Sequence, residues 1–241
     1  IVAYVNRDSN GPTIQYCANF GDISASVSAD DYAVGGIAAF AKLKGTHIYY
    51  CTNHGDITAS GQYKGIGGIG GEVGHNTGTV SCSNNAYVKY CANFGNLQGN
   101  HSDSYVGGIV GFMQEGSASK GNCCIYDSYN RGEILSNHSE ETGGILGHAD
   151  YYNTLYRNIN FGKVHHGNAI IGCRKKNIAV LYLDDNYYLE GSGGDWKATD
   201  SFSEGEIGSS ATYKGFDFDS VWEMAEGYPY LRNNPFQRTK F

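Results

Sequence analysis

Two columns of residues in this 241-residue chain have types and spacing that chemistry could use. Asp22, Asp56, Asn96, Glu133 and Lys163 each follow a glycine at the same place in a recurring phrase. If copies of that phrase stack, the Asp22 and Asp56 carboxylates stand about 5 Å apart, the separation of a retaining glycosidase pair. Like charges that close raise one pKa, which suits acid catalysis, or they attract Ca2+. Ca2+ is the only ion this pattern suggests, and no other cofactor is expected. The residues just before the same glycines are Phe20, His54, Phe94, Arg131 and Phe161. Stacked, they form a ribbon of rings with a guanidinium among them, a surface on which sugars or partner proteins lie. These five are the candidate binding residues, and no catalytic or metal residue is assigned.

Other motifs resolve into the repeat. Gly65-Ile-Gly-Gly-Ile-Gly70 matches G-x-G-x-x-G, but a dinucleotide site needs a helix to follow, and Gly71-Glu-Val-Gly74 follows instead. There is no P-loop and no G-x-S-x-G elbow. Alternation along a strand would send His165 and His166 to opposite sides, so they do not form a metal pair. Of seven cysteines, Cys17, Cys51 and Cys91 share one repeat position, which reads as buried thiols stacked on each other. Cys123-Cys124 is vicinal, no C-x-x-C occurs, and the spacing is wrong for zinc. Asp30-Asp31 and Asp184-Asp185-Asn186 read as solvated loops. Asn100-His-Ser102 and Asn137-His-Ser139 match the glycosylation sequon and are expected to stay unmodified.

The phrase that positions these residues occurs five times. Cys17-Ala-Asn-Phe-Gly-Asp-Ile23 returns as Cys51–Ile57 and Cys91–Leu97, then more loosely as Ser128–Ile134 and Asn158–Val164. Gly35-Gly-Ile37, Gly67-Gly-Ile69, Gly107-Gly-Ile109 and Gly143-Gly-Ile145 follow the first four, and Ala169–Gly172 is a degraded fifth. Variable intervals around a fixed phrase mean strands joined by adjustable loops. Period two places Cys17, Asn19, Gly21 and Ile23 on one face. That face is the one that repeats, so it should touch its own counterparts above and below. Buried asparagines would then hydrogen-bond one another about 4.8 Å apart.

Gly-Gly pairs, β-branched and aromatic residues, and the lack of a 3.6-residue apolar stripe oppose helices. Each unit offers three short strand candidates, for example Ile48–Thr52, Gly55–Ala59 and Gly67–Gly71, too few for a propeller blade. The expected fold is therefore all-β: a right-handed parallel β-helix of about five coils. Its repeats fill residues 1–175, and 176–241 hold the last strands and a C-terminal cap. Within that cap Ile178–Leu189 reads as a strand pair and Ser220–Ala225 as a short helix. Phe216, Phe218, Trp222, Tyr228 and Tyr230 read as an apolar plug over the last coil.

Alternating Gly-Gly-Ile-x-Gly with Cys-x-Asn-x-Gly-x-Ile resembles the GLUG motif repeats of bacterial surface proteins. The closing Val221-Trp222-Glu-Met-x-x-Gly-Tyr-Pro229-Tyr-Leu231 is similar to the segment that often ends such regions. The likeness covers residues 14–175 and 212–232, with departures at the insertion Gly78–Val88, which carries Cys82, and at the fifth repeat, which lacks Gly-Gly. It implies a secreted or surface-attached bacterial protein, either adhesin-like or lying beside the catalytic domain of an immunoglobulin A-specific metallopeptidase. Such a peptidase needs a His-Glu-x-x-His helix, and none of the eight histidines begins one.

Charge and hydropathy narrow the partners. A net charge of −7 gives no basic footprint for nucleic acid. No apolar run reaches the roughly 20 residues that span a bilayer. The first residues lack a basic n-region and already read as coil sequence, so a piece of a larger multidomain surface protein is expected. The expected role is a non-catalytic extracellular module that binds a host protein, immunoglobulin possible, or a glycan, or that spaces an attached domain. A carbohydrate-active β-helix enzyme and a purely structural stalk are the alternatives.

Overall fold

The computed structural model describes residues 2–5, 11–27, 32–42, 45–61, 64–74, 86–114, 123–137, 139–150, 153–174, 182–194 and 199–238. Asp30-Asp31, Cys82, His138 of the second sequon and the start of the Ile178–Leu189 segment lie outside them. Nearly all of the regular structure is strand, and strands from successive repeats pair in parallel to form five stacked sheets.

In chain order each of the first four repeats contributes a strand to every sheet in turn, and the fifth reaches the last two sheets only through single bridges at Val164 and Asn168. The first sheet contains Val2–Val5, Ala38–Ala41, Gly70–Val73, Val110–Met113, Leu146–Ala149 and Ile171–Arg174. The second contains Thr13–Gln15, His47–Tyr49, Ala86–Lys89, Cys123–Tyr126, Asn153–Tyr156 and Tyr182–Asp184. The third runs from Ala18–Asn19 through Thr52–Asn53, Ala92–Asn93, Tyr129–Asn130 and Ile159–Asn160 to Tyr187–Leu189 and Asp200–Phe202. Ile23–Val27, Ile57–Gly61, Leu97–Gly99 and Ile134–Ser136 make the fourth sheet. Ala33–Gly35, Gly65–Gly67, Val106–Gly107 and Thr142–Gly143 make the fifth. This is the parallel solenoid expected from the repeat. Two of the three expected strands are divided by a corner, however: Ile48–Thr52 is split at Tyr50 and Gly67–Gly71 after Gly67, while Gly55–Ala59 falls on the single strand Ile57–Gly61.

Register places the repeat asparagines over one another: Asn19 on Asn53, Asn53 on Asn93, Asn93 on Asn130 and Asn130 on Asn160. Each Nδ2 donates to the next Oδ1 at 2.7–2.9 Å. Each also donates to the carbonyl two residues on in its own coil, at 2.7–2.9 Å. The ladder ends where Asn160 meets Ser192 Oγ at 3.4 Å. A second ladder replaces sulfur with amides as it climbs: Cys17, Cys51, Cys91, Ser128, Asn158, Asn186. The amide column divides the interior. Cys51, Cys91, Ile48, Val88 and the isoleucines of the Gly-Gly-Ile phrase fill one core, and Ile57, Leu97, Ile66 and Val106 fill the other.

Two glycine columns make room for this stack. A Cβ on Gly55, Gly95, Gly132 or Gly162 would collide with the carbonyl oxygen of the corresponding glycine one coil earlier, closer than real Cβ atoms come. A Cβ on Gly36, Gly68, Gly108 or Gly144 would strike both a neighbouring carbonyl and the side chain of Asn53, Asn93, Asn130 or Asn160. The two phrases recur together because they meet at the amide ladder.

The C-terminal region corrects two expectations. Ser220–Ala225 is not a helix: Trp222–Ala225 pairs antiparallel with Tyr228–Leu231. Glu226 and Gly227 both have positive φ, 51° and 79°, the signature of a two-residue type I′ hairpin turn. Nor does the aromatic segment plug the end of the solenoid. It runs along the outer flank of the third sheet, back toward the second coil. Trp222 is fully buried there with Tyr129, Tyr187, Phe202 and Tyr213.

Candidate functional site

The structure brings the expected aromatic column together. The rings of Phe20 and His54 stack at 4.9 Å, and those of His54 and Phe94 at 4.8 Å, nearly parallel. The Arg131 guanidinium continues the column, 5.7 Å from the Phe94 ring and 5.4 Å from Phe161. Most of this ribbon is covered by the chain itself. Tyr228 and Tyr230 close over Arg131 at 4.3 and 4.8 Å, so five aromatic rings surround one cation. The buried Nε and Nη2 of Arg131 face rings and have no hydrogen-bond acceptor among the described residues. Further along, His54 Nε2 is 2.9 Å from the Phe236 carbonyl, and Asn234 bonds Thr52 Oγ1 and the Tyr90 carbonyl. Of the five, Phe20 alone is well exposed, at 43%. The other four are seats for the residue 216–238 strap.

A second aromatic column borders the first and remains open at its lower end. Tyr16, Tyr50 and Tyr90 occupy the corner between the second and third sheets, each in the left-handed region with φ of 53–57°. That conformation is uncommon for bulky residues and turns the chain sharply, throwing each ring outward. The rings stack at 5.0 and 4.8 Å, and Tyr16 is 49% exposed. Higher up, the same corner holds Asp127, Arg157 and Asp185, also at positive φ. Arg157 grips Asp127 through Nε and Nη2 at 2.7 and 2.8 Å, and Trp222 Nε1 donates to the same carboxylate at 3.1 Å. The corner thus passes from a ring stack to an ion pair where the strap arrives.

Around that corner the outer face of the second sheet extends the aromatic surface. His47 stacks on Tyr49 at 5.2 Å and approaches Tyr87 at 5.3 Å. Lys89 Nζ lies 4.6 Å from the Tyr87 ring and 4.7 Å from Tyr126, and partial burial lowers its pKa. Tyr126 meets Tyr156 edge-on, Arg157 covers Tyr156 at 4.0 Å, and Tyr182 is 56% exposed. Burial and neighbouring phenols raise the pKa values of Tyr49 and Tyr50, so both stay protonated hydrogen-bond donors at neutral pH. The result is a ridged face of phenols with two cations on it. Rings supply rigid apolar area and hydroxyls supply hydrogen bonds, the combination that paratopes and sugar sites use.

The remaining candidates have structural work. Asp22 Oδ1 accepts the Asp56 N–H, Asp56 Oδ1 accepts that of Asn96, and Asn96 Oδ1 that of Glu133, at 2.7–2.9 Å. That column therefore caps backbone amides from coil to coil. His165 faces Glu133 at 3.4 Å while His166 faces the Ser136 carbonyl at 3.2 Å, so the pair is divided. Cys17, Cys51, Cys91, Cys123 and Cys124 are free thiols. Burial pushes Cys91 well up, whereas the hydrogen bond from Cys91 lowers Cys51. Gly65, Gly67 and Gly70 are buried strand residues against neighbouring backbone or side chains, and the segment that follows, Gly70–Val73, is a strand and not a helix. Asn186, read as a solvated loop residue, is a buried rung.

No protein-family model and no curated protein matches this chain. It is similar in structure to a putative immunoglobulin A1 protease from Bacteroides ovatus. The two share 19% sequence identity at a TM-score of 0.55, over 90% of this chain and 68% of the other. At that identity the likeness speaks for the fold alone.

Two features of the site were not foreseen from the sequence. One is the tyrosine corner, although its signal was present: the phrase is really Tyr-Cys-x-Asn, at Tyr16, Tyr50 and Tyr90. The other is the His148 cluster on the first sheet. Its ring stacks on Tyr105 at 4.5 Å, Nδ1 bonds the Glu141 carboxylate, and Nε2 lies 3.6 Å from Asp150. Burial alone would lower its pKa. The hydrogen bonds and charges of Asp150 and Glu141 outweigh that and push it up to about 9.

Proposed function

We propose that this chain is a non-catalytic, extracellular binding module that holds a host protein or glycan on its tyrosine face, with immunoglobulin the first protein to try. The carrying observation is the open aromatic surface formed by Phe20, the Tyr16–Tyr50 stack and the His47–Tyr49–Tyr87 cluster. Phenol-rich ridges on a rigid scaffold lose little entropy when a partner docks. The GLUG-like phrases support a surface location. The name of the Bacteroides ovatus structure motivates immunoglobulin as a probe. The scaffold is read as a right-handed solenoid of about five coils, the hand that parallel crossovers favour. Of the original column, Phe20 stays in the binding surface, while His54, Phe94, Arg131 and Phe161 become ligand contacts only if the strap lifts.

The test is an immobilised-chain assay against immunoglobulin A and a glycan array, repeated with Tyr16→Ser, Tyr49→Ser and Phe20→Ser. Retention of one ligand, lost in these variants while circular dichroism and the unfolding midpoint hold, is the expected outcome. Retention that survives all three substitutions would remove this face from consideration.

A further inference from the structure

The tyrosine face carries a cation that has no carboxylate partner among the described residues. Lys89 points outward from the second sheet, in register between Tyr49 of one neighbouring coil and Tyr126 of the other. Its Nζ lies over two rings, 4.6 Å from the centre of Tyr87 and 4.7 Å from that of Tyr126. By contrast, Arg157, Lys42, Arg232 and Arg238 each hold a carboxylate at 2.6–3.7 Å. Asp127, whose charge reaches Lys89, is buried and already accepts from Arg157 Nε and Nη2 and from Trp222 Nε1. Burial strips part of the water from the Lys89 ammonium and lowers its pKa. Ring quadrupoles replace some of that lost solvation, and a carboxylate arriving from outside replaces far more.

The surroundings of Lys89 decide what kind of molecule brings that charge. A sugar docks on aromatic residues by laying its apolar side on an open ring face, and the faces here are largely taken. Tyr50 lies between Tyr16 and Tyr90 at 5.0 and 4.8 Å, Lys89 sits over Tyr87 and Tyr126, and Arg157 covers Tyr156. A stack leaves ring edges pointing outward, and an edge bears the positive end of the quadrupole. The phenols of Tyr49, Tyr50 and Tyr126 are held protonated by burial, so they donate. Edges and O–H donors around an ammonium call for closely set oxygen acceptors, as the carbonyls and side-chain carboxylates of an extended peptide are.

We infer that Lys89 is the anion anchor of the tyrosine face and seats a carboxylate from an acidic segment of a partner protein. The inference rests on the tyrosine-face reading given above and selects protein over glycan within it. The carboxylate sits against Nζ with neighbouring phenols donating to its oxygens or to the peptide carbonyls beside it. The ring-lined setting makes the contact selective, because a charge pair shielded from water is stronger than one on the open surface.

A random copolymer of glutamate and tyrosine is the probe, passed over the immobilised chain. The chain carries a net charge of −7, so its overall field opposes this probe and retention reports a local site. Lys89→Met keeps the stem over the rings without the charge and should weaken the Kd about tenfold, the worth of one charge-assisted hydrogen bond. Lys89→Gln should repeat that loss, and Lys89→Arg should stay within about threefold of the native chain. Circular dichroism and the urea midpoint should hold in all three variants. Equal retention by the native chain and Lys89→Met overturns the inference, as does no retention at all. Polygalacturonate retained as tightly as the copolymer also overturns it, because an acidic glycan would then be the occupant. Loss with Tyr49→Ser but not with Lys89→Met removes the anchor and leaves the tyrosine face standing. Loss with Lys89→Met but with neither Tyr16→Ser nor Tyr49→Ser keeps the anchor and removes the face.

Discussion

Replacing Asn93 by alanine removes the middle rung of the amide ladder. The side chain is fully buried and makes three hydrogen bonds. It donates to Gly95 at 2.8 Å and to Asn130 at 2.7 Å, and it accepts from Asn53 at 2.8 Å. At about 1 kcal/mol net for each bond, the loss is roughly 3 kcal/mol, before counting the Asn130 oxygen left without a donor in a dry interior. Asn19→Ala deletes two bonds at a partly exposed end, where water can replace them, so about 1 kcal/mol is expected. Urea unfolding followed by far-ultraviolet circular dichroism gives both values from the midpoints, provided the slopes match. Asn93→Asp is the control. It keeps the shape but has no donor for Asn130, so it should be at least as damaging as alanine near neutral pH. If Asn93→Ala and Asn19→Ala fall within about 0.5 kcal/mol of each other, the ladder is not a principal source of stability and the reasoning fails.

Other outcomes follow from the same geometry. Gly108→Ala sets a Cβ against the Gly144 carbonyl and the Asn130 side chain, so it should unfold the chain at room temperature, whereas Gly205→Ala, with open space around it, should not. Trp222→Ala empties a fully buried site and removes one of the three donors to the Asp127 carboxylate, which should cost about 3–5 kcal/mol and expose the strap to limited proteolysis. Arg131→Ala should loosen the same segment, read as faster cleavage between residues 216 and 238. His148 is held protonated by Glu141 and Asp150, and its pKa rises from 6.5 unfolded to about 9 folded. Its contribution is therefore complete below about pH 6.5 and lost as pH climbs through 9, and His148→Gln should flatten unfolding midpoints across that window.

The interior of this fold was legible because a solenoid makes matching positions touch each other. A residue that must fit its own kind repeats within one chain, and Asn19, Asn53 and Asn93 advertise themselves in that way. The flank was not legible for the converse reason. Arg131, Asp127 and Thr52 are contacted by a segment that occurs once, so repetition carries no trace of the contact. Trp222-Glu-Met-Ala contains good helix formers, and local propensity suggested a helix. The outcome was decided by Glu226-Gly227, whose paired positive φ values favour a hairpin. The binding column illustrates both halves: its alignment followed from the repeat, and its cover did not.

The path of the last residues bears on how the molecule is made. Asn234 reaches Thr52 across 182 positions of sequence, and Gln237 reaches Tyr129 across 108. A chain synthesised from its N-terminus can lay one coil on another as each emerges, since those pairings join neighbouring repeats. The clasp across them cannot close until residues 216–238 have themselves been made. A nascent or truncated product would thus be coiled but unfastened, and its latch, drawn over rungs two to six, would set in a separate and slower step.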